Sequence, residues 1–357
     1  MTLFNNNPIP LSREKHIKYF MHHLNILPSS LSHFDATRLT IAFFAISGLD
    51  ILGGIDQLSV TKKKEICDWI YSLQILPNNN EVDITKRCGF QGSNTLTYSE
   101  EGGQQTSIPL YSCGHLAMTY TGIGSLVILG DDLSRVDRQA CVQGVRALQQ
   151  ADGSFCPTLS GSENDMRFVY CAACICYMLN DWTGMDIEKT ILYISRSMSY
   201  DYGIAVGPNL ESHGGVTYCA VAALALMGRL DQVFSRKQLE GLKRWTIMRQ
   251  VTGFQGRPNK PEDTCYSFWV GATLKLLGIF EMVNFCENRD YVMSTQYATT
   301  GGFSKWPDSY ADPMHTYLGL SGLSLMGEEG LLEMNAALNI TQRAATHLKT
   351  VQNSWAS

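Results

Sequence analysis

The sequence predicts an all-α protein in which six helical hairpins close into a ring, an α6/α6 toroid. Similar glycine turns recur at a period of roughly 50 residues, for example D-G-S-F at 152–155 and G-G-F at 301–303. Each turn is preceded by an amphipathic segment and followed by an apolar segment rich in small and aromatic residues. A constant period of this length is typical of an array of helical hairpins.

Six apolar segments are the predicted inner helices of the ring. Several end in an apolar pair followed by glycine, as at Met227-Gly228 and Leu277-Gly278, and glycine in that position is a helix stop signal. The predicted inner segments are 37–52, 113–129, 165–180, 213–228, 263–278 and 312–327.

Six charged, amphipathic segments alternate with them and are the predicted outer helices. An amphipathic helix in this position places one face against the inner ring and the other in water. The predicted outer segments are 61–75, 135–150, 186–199, 235–250, 287–297 and 338–353.

The terminal repeats indicate that the ring is closed. They are not obviously polar, whereas an open array needs polar capping repeats at its ends. We therefore expect one domain over residues 1–357, with all inner helices running in the same direction and their N-terminal ends at one mouth. Each N-terminus carries unpaired N–H groups and partial positive charge, so the mouth is suited to an anion such as phosphate.

Composition narrows the class of function. The 357 residues are 45% hydrophobic and 17% charged, which indicates a large core, and a net charge of −5 gives no reason to expect a nucleic-acid partner. The longest apolar run, about 39–49, is too short to span a membrane, and residues 1–10 lack a secretory signal pattern.

Cysteine usage points to a reducing, cytoplasmic location. The eleven cysteines are an odd number and are scattered through helical segments, which does not fit a disulfide framework. Cys171, Cys174 and Cys176 lie within one apolar helix and are expected to pack in the core rather than to bind metal.

Asp263, Cys265 and His315 are candidate metal ligands because they begin the fifth and sixth inner segments, which are neighbours in the ring. Three O, S and N donors with a fourth position left open are the arrangement of a catalytic zinc site. The alternative is a helix-capping aspartate, a buried cysteine and a surface histidine.

A basic group is predicted at the same level of the mouth. His213 begins the fourth inner segment, Arg257 and Lys260 occupy the turn G-R-P-N-K-P, and Tyr266 follows the cysteine. These side chains could bind a diphosphate and stabilise its charge as it leaves. The alternative is an ordinary solvated basic turn.

Aromatic residues recur among alanine and glycine in the inner segments. Six inner helices cannot all touch across a ring, so a central apolar cavity suited to a long hydrocarbon is expected. Packing of the same residues in a core is the alternative. They are Phe43, Phe44, Tyr120, Tyr170, Tyr218, Phe268, Trp269 and Tyr317.

Several longer motifs now carry a family resemblance. They are D-T-C-Y-S-F-W, G-R-P-N-K, E-S-H-G-G, S-E-N-D-M-R-F-V-Y-C and G-G-F-S-K-W-P-D, in that family's order and within 24–327. The chain resembles the β subunits of protein prenyltransferases and is most similar to those of the type I protein geranylgeranyltransferases.

The resemblance implies a zinc-dependent enzyme that works as a heterodimer with a helical α subunit. Asp263, Cys265 and His315 are implied as zinc ligands, and the diphosphate contacts are implied at His213, Arg257, Lys260 and Tyr266. The implied reaction transfers geranylgeranyl from geranylgeranyl diphosphate to the cysteine thiol of proteins, such as small GTPases, that end in CaaX with X usually leucine.

Further positions bear on substrate choice. The resemblance implies that Thr40 replaces a bulky tryptophan of farnesyltransferases and leaves room for a twenty-carbon chain. It implies that Lys305 replaces a magnesium-binding aspartate, which makes magnesium dispensable. An isoprenoid and CaaX pocket is implied at Thr40, His115, Ala117, Phe168 and Trp269.

Three alternatives stay open. A farnesyltransferase β subunit is the nearest. A terpene cyclase shares the helical barrel but relies on a D-x-D-D acid motif, and this chain has only Asp131-Asp132 at a helix end. A non-catalytic toroid that serves as a binding module would hold no tight metal. The polar, glycine-rich segment 92–111 aligns with nothing and is predicted to be a variable loop.

Overall fold

The computed structural model describes residues 9–27, 29–77, 84–95, 112–161 and 163–355, and this part of the chain is mainly α-helical. Most of the segment 92–111, predicted to be a variable loop, lies outside the described residues. The α-helices are α1 (Arg13–Asn25), α2 (Arg38–Ile51), α3 (Val60–Ser72), α4 (Leu116–Leu129), α5 (Arg138–Ala147), α6 (Met166–Leu179), α7 (Ile187–Arg196), α8 (Gly214–Leu226), α9 (Leu230–Val233), α10 (Arg236–Ile247), α11 (Tyr266–Leu276), α12 (Phe285–Ser294), α13 (Pro313–Leu325) and α14 (Gln342–Ser354).

Short strands and 3-10 turns complete the described structure. Strand β1 (Gln74–Ile75) pairs antiparallel with β2 (Gly89–Phe90), and β3 (Met334–Asn335) pairs antiparallel with β4 (Ile340–Thr341). The 3-10 turns are Ser29–Thr37, Ile55–Gln57, Ile84–Arg87, Trp182–Gly184 and Phe280–Met282.

The inner helices form a closed ring in the order α2, α4, α6, α8, α11, α13. Each contacts the next, and α13 contacts α2. The toroid predicted from the repeat is therefore confirmed, and every predicted inner segment contains one of these helices. Within the described residues, no helix combines the length and the apolar character needed to cross a membrane.

Local sequence explains where the inner helices begin and end. The side chains of His115, Asp165, His213 and Asp312 each accept a backbone N–H of the first turn of the helix that follows. At the opposite end of α4, Gly130 has φ 85°, a left-handed conformation that glycine adopts without strain and that ends the helix.

The sixth outer position is filled by α1, which corrects the prediction that residues 338–353 fill it. Helix α1 contacts both α13 and α2, where the ring closes, whereas α14 contacts α4 and α6. Amphipathicity predicts that a helix has a buried face, but it does not predict which neighbour covers that face.

A repeated glutamine contact supports this assignment. In four repeats a glutamine side chain accepts the backbone N–H that starts the next outer helix and donates to a nearby carbonyl. Gln74 makes these bonds to Asp137 and Arg135, Gln149 makes them to Asp186, Gln250 makes them to Asn284, and Gln296 makes them to Ser12 and Pro10. Ser12 precedes α1, so α1 occupies the same place in its repeat as α7 and α12 occupy in theirs.

Residues 334–354, here called the C-terminal strap, close the end of the ring opposite the mouth. Arg343 Nη2 donates to the carbonyl of Ile128 at 2.7 Å, and Gln352 Nε2 donates to the carbonyl of Tyr177 at 2.7 Å. These carbonyls lie in the last turns of α4 and α6, where a helix leaves acceptors unpaired. The strap therefore satisfies the C-terminal ends of inner helices.

One aromatic side chain from each inner helix forms a continuous layer, here called the aromatic belt. Its members are Phe43, Tyr120, Tyr170, Tyr218, Phe268 and Tyr317. Ring centroids of neighbours from Tyr317 through Phe43 and on to Phe268 lie between 5.2 and 6.0 Å apart. All six are buried, so the alternative of core packing holds for them, while Phe44 and Trp269 remain partly exposed.

Candidate metal centre at the mouth

Asp263, Cys265 and His315 meet at the mouth. One ligand atom from each lies within 4.8 Å of the other two, and all three residues are buried. In the described part of the chain no other group of His, Cys, Asp and Glu is arranged in this way. Oxygen, sulfur and imidazole nitrogen donors together suit zinc.

Helix starts bring these residues together. Asp263 Oδ1 accepts the N–H of Cys265 at 3.0 Å at the beginning of α11, and Asp312 Oδ1 accepts the N–H of His315 at 2.9 Å at the beginning of α13. Because α11 and α13 are neighbours in the ring, the two caps place the donor atoms side by side.

Asp312 orients the imidazole of His315. Its Oδ2 lies 2.6 Å from Nδ1, so the hydrogen-bond pattern assigns a proton to Nδ1, and Nε2 faces Asp263 Oδ1 at 3.2 Å. A carboxylate behind a histidine in this way is the usual outer support of a metal ligand.

The electrostatics of this trio favour a bound cation. Burial lowers the pKa of His315, but hydrogen bonds to Asp263 and Asp312 outweigh burial and raise it to about 9. Burial, and then the nearby Asp263 carboxylate, raise the pKa of the Cys265 thiol well above its usual value. A metal ion reverses this preference because it stabilises the thiolate and competes for Nε2.

Lys305 lies at the edge of the trio. Its Nζ is 3.8 Å from Asp263 Oδ2 and 4.5 Å from the ring centroid of Trp306, and its side chain is 45% exposed. The structure thus brings the predicted lysine next to the predicted metal ligands while leaving it accessible from the mouth.

His213 and Tyr266 of the predicted diphosphate site are in contact. His213 Nδ1 accepts the N–H of Gly215 at 3.1 Å, so its proton is on Nε2, which lies 3.1 Å from the Tyr266 hydroxyl. Burial, and then the positive charge of Arg257, lower the pKa of His213. A neutral His213 at neutral pH therefore directs its Nε2–H donor to the Tyr266 hydroxyl.

Arg257 and Lys260 lie on one turn beside this pair. Arg257 Nη1 forms an ion pair with Glu211 Oε2 at 2.7 Å, and Lys260 N donates to the carbonyl of Arg257 at 3.2 Å. The Lys260 side chain is exposed to solvent. The structure places both cations on the turn that leads into Asp263 and α11.

The residues predicted for the isoprenoid and CaaX pocket lie in or just before the first turns of α2, α4, α6 and α11. His115 Nδ1 caps Ala117 N at 3.1 Å, and its ring meets Phe168 edge-on with centroids 6.0 Å apart. The Thr40 hydroxyl lies 3.4 Å from Met118 Sδ. Trp269, on the far side of the ring, packs on Tyr218 with centroids 5.1 Å apart.

Known proteins resemble the chain over nearly its full length. The family model of the prenyltransferase alpha-alpha toroid domain matches residues 11–340. The chain belongs to the prenyltransferase family. The geranylgeranyl transferase type-1 subunit beta of Arabidopsis thaliana is 40% identical over 93% of this chain and 90% of its own length, and that of Dictyostelium discoideum is 36% identical over 94% and 96%.

A solved structure supports the same family assignment. Candida albicans protein geranylgeranyltransferase-I complexed with GGPP superposes with a TM-score of 0.83 at 28% identity, covering 96% of this prenyltransferase chain and 99% of that chain. The family predicted from the motifs is therefore confirmed, together with its kinship to the type I β subunits.

The structure of this prenyltransferase chain adds residues that the sequence reasoning missed. Asp312 supports His315, Glu211 pairs with Arg257, and Gly256 leaves room for the ring of Tyr266, because a Cβ at this position would collide with that ring. The spacing D-P-M-H at 312–315 was a usable signal for Asp312, since a capping aspartate and a histidine three residues later share one helical turn.

The structure of this prenyltransferase chain disfavours two alternative assignments, a metal cluster at the cysteines of α6 and an acid motif at Asp131-Asp132. Cys171, Cys174 and Cys176 are buried in the core of α6, as predicted. Asp131 Oδ1 accepts from the Tyr71 hydroxyl at 2.5 Å and from Leu133 N at 2.7 Å, and Asp132 Oδ1 accepts from Ser134 N at 2.9 Å. These two aspartates organise a turn at the end of α4, away from the mouth.

Proposed function

We propose that the chain is the catalytic β subunit of a zinc-dependent protein geranylgeranyltransferase type I. The observation that carries the proposal is the buried Asp263, Cys265 and His315 trio at the mouth of a toroid whose relatives are type-1 β subunits. The proposed substrates are geranylgeranyl diphosphate and proteins ending in CaaX with X usually leucine, such as small GTPases.

Asp263, Cys265 and His315 would hold the zinc ion. When bound, zinc supplies a position at which a substrate thiol loses its proton at neutral pH. Asp312 keeps the proton of His315 on Nδ1, so that Nε2 offers its lone pair toward the metal position. Lys305, beside Asp263, serves as the cation that magnesium would otherwise supply, and we therefore propose that magnesium is not required.

His213 and Tyr266 donate hydrogen bonds to the diphosphate of the isoprenoid, and Arg257 and Lys260 neutralise the charge that develops as it leaves. Glu211 holds Arg257 beside His213. Because these hydrogen-bond donors are already in position, little reorganisation is needed when the bond between the isoprenoid and the diphosphate breaks. Trp269 lies on the wall of the cavity that receives the apolar chain, and Thr40, His115, Ala117 and Phe168 line the part that selects isoprenoid length and the CaaX residue.

We further propose that the enzyme acts with a prenyltransferase α subunit in the cytoplasm. Large apolar side chains are exposed on the loops that lead into the inner helices, Tyr200 at 96% and Tyr310 at 85% among them, and exposed apolar groups of this size favour a protein partner. Within the described residues no cysteine forms a disulfide, which supports a reducing compartment. Further exposed apolar side chains on these loops include Leu159, Leu210, Met248, Val251 and Trp306.

Reconstitution with an α subunit tests the proposal. Geranylgeranyl and farnesyl diphosphates compete for peptides that end in leucine, serine or methionine, and the metal content of the purified heterodimer is measured. We expect about one zinc per heterodimer and preferred geranylgeranyl transfer to the leucine peptide, with no increase on adding magnesium. Preferred farnesyl transfer to the serine or methionine peptide would identify a farnesyltransferase, and a metal-free, inactive heterodimer would identify a binding module.

A further inference from the structure

The turn between β3 and β4 of the C-terminal strap lies against the aromatic belt. Four consecutive carbonyls of this turn, residues 336–339, each accept a hydrogen bond from a belt tyrosine. The donors are Tyr218 to Ala336 at 2.9 Å, Tyr170 to Ala337 at 3.0 Å, Tyr120 to Leu338 at 2.9 Å and Tyr317 to Asn339 at 2.7 Å.

We take the belt as the floor of the predicted central cavity, because exposure inside the ring falls at its level. One helical turn nearer the mouth, Thr40, Ala117 and Gly215 are partly exposed, whereas Tyr120 is 6% exposed and Tyr218 is fully buried. An apolar chain that enters at the mouth therefore meets the belt, with the turn 336–339 directly beneath it.

The strap turn is anchored at both ends, and between these anchors the tyrosine hydroxyls bond its carbonyls to the belt. On one side, Leu332 N donates to the carbonyl of Ile51 at 2.8 Å. On the other, Thr341 and Arg343 bind the buried Asp50 at 2.5 and 2.8 Å. Inside the turn, Asn335 Oδ1 accepts the N–H groups of residues 337 and 338 and fixes its shape.

Without the hydroxyls, four buried carbonyls would lose these donors. A buried carbonyl without a partner is costly, so the turn would move toward water or other donors. The rings of the belt would then no longer rest on a fixed support.

We propose that the C-terminal strap sets the depth of the central cavity, and thereby the longest isoprenoid that the enzyme accepts, through the hydrogen bonds of the belt tyrosines to residues 336–339. This inference rests on the proposed function, because it assigns the cavity to an isoprenoid diphosphate. It adds a specificity determinant on the strap, outside the ring of inner helices.

Chain-length selectivity of the reconstituted heterodimer tests the inference. The triple variant Tyr120→Phe, Tyr170→Phe and Tyr218→Phe keeps every ring and removes only hydroxyls. We measure kcat/KM for fifteen-, twenty- and twenty-five-carbon diphosphates, together with hydrogen exchange of the strap amides. Because three modest hydrogen bonds are lost, we expect the ratio of twenty-five- to twenty-carbon transfer to rise about tenfold and exchange at 336–339 to become faster.

Three further variants complete the test. Asn335→Ala loosens the turn from the strap side without touching the belt, and it should raise the ratio of twenty-five- to twenty-carbon transfer as well. If the triple variant does not fold, Tyr218→Phe alone replaces it. Tyr193→Phe is the matched control, because its buried hydroxyl donates to Val206 O at 2.7 Å, away from the strap. It should leave the length profile unchanged.

The outcomes separate this inference from the proposed function. Twenty-carbon transfer by the wild-type heterodimer tests the function itself, and the ratio across variants tests the strap. A ratio that stays within about twofold of wild type in the folded Tyr→Phe and Asn335→Ala variants overturns the inference, whether or not strap exchange changes. A similar rise in the Tyr193→Phe control overturns it as well.

Discussion

At the mouth, the capping side chain of His213 keeps its second ring nitrogen for a neighbouring side chain, whereas at the opposite end the C-terminal strap uses its polar atoms on the helices themselves. His213 caps α8 with Nδ1 and directs Nε2 toward Tyr266. Arg343 and Gln352 donate to carbonyls of Ile128 and Tyr177. We propose that the positive helix ends at the mouth serve ligand binding, whereas the negative ends serve structure.

Removal of a metal ligand at the mouth should have the largest effect on zinc binding and on prenyl transfer. Cys265→Ala or His315→Ala should remove zinc and lower prenyl transfer by about a thousandfold or more, because the substrate thiol is no longer activated. Metal analysis and steady-state kinetics of the heterodimer check this. Cys174→Ala, at a buried cysteine of α6, is the control and should keep its zinc. A zinc-free but active Cys265→Ala enzyme would contradict the assignment.

The carboxylate that supports His315 should matter less for zinc affinity than the metal ligands themselves. Asp312→Asn keeps an acceptor for the N–H of His315 but removes the carboxylate from Nδ1, so zinc affinity should fall about 10- to 100-fold. Competition with a chelator measures the affinity. Asp186→Asn changes a cap of the outer helix α7 in the same way and should leave zinc affinity at the wild-type value.

A substitution at the opposite end of the ring should lower the stability of the protein and leave metal binding unchanged. Arg343→Met leaves the buried Asp50 without its cation and the Ile128 carbonyl without its donor. We expect the free energy of unfolding to drop by about 2 kcal/mol, which is less than the roughly 3–5 kcal/mol of a fully buried pair because Arg343 is partly exposed. Denaturant unfolding measures the drop. The exposed Arg196→Met is the control, and a loss of zinc in Arg343→Met would contradict the division between the two ends.

The smallest expected effect concerns His16, at the seam between α1 and α13. Its Nε2 donates to Gln296 Oε1 at 2.9 Å, and its Nδ1 accepts from Gly302 N at 2.9 Å, so the neutral form fits. Burial lowers the pKa of His16 to about 4, although the bond to Gln296 opposes this.

Stability from His16 is therefore complete above pH 6.5, the pKa of an ordinary histidine, and is lost as pH falls from 6.5 toward 4, because the unfolded chain takes up the proton first. At pH 5.5 the loss should be about 1.4 kcal/mol. Unfolding of wild type and His16→Gln across this range measures it by difference. An identical pH dependence in both proteins would exclude the contribution.

The sequence was sufficient for the ring and for the residues at the mouth, because both leave local signals. Glycine stops and capping residues mark each inner helix, and the caps place Asp263, Cys265 and His315 at equivalent positions in neighbouring repeats. Their roles as zinc ligands, and those of the diphosphate and CaaX residues, stay predictions.

The placement of α1 and of the strap could not be read from the sequence. Residues 338–353 have the amphipathic pattern of an outer helix, but the fold puts α14 across α4 and α6. The contacts that decide this are to backbone carbonyls at 336–339 and at helix ends, which any residue provides. Side-chain patterns therefore carry no information about them.

Cobalt substitution tests the central claim most directly. Co²⁺ replaces zinc in the heterodimer, and its absorption reports each thiolate bound to it. The account predicts one thiolate signal from Cys265, absent in Cys265→Ser, and a second that appears when a peptide ending in Cys-a-a-Leu is added. A heterodimer whose spectrum is the same with and without Cys265, or that does not change with the peptide, would contradict it.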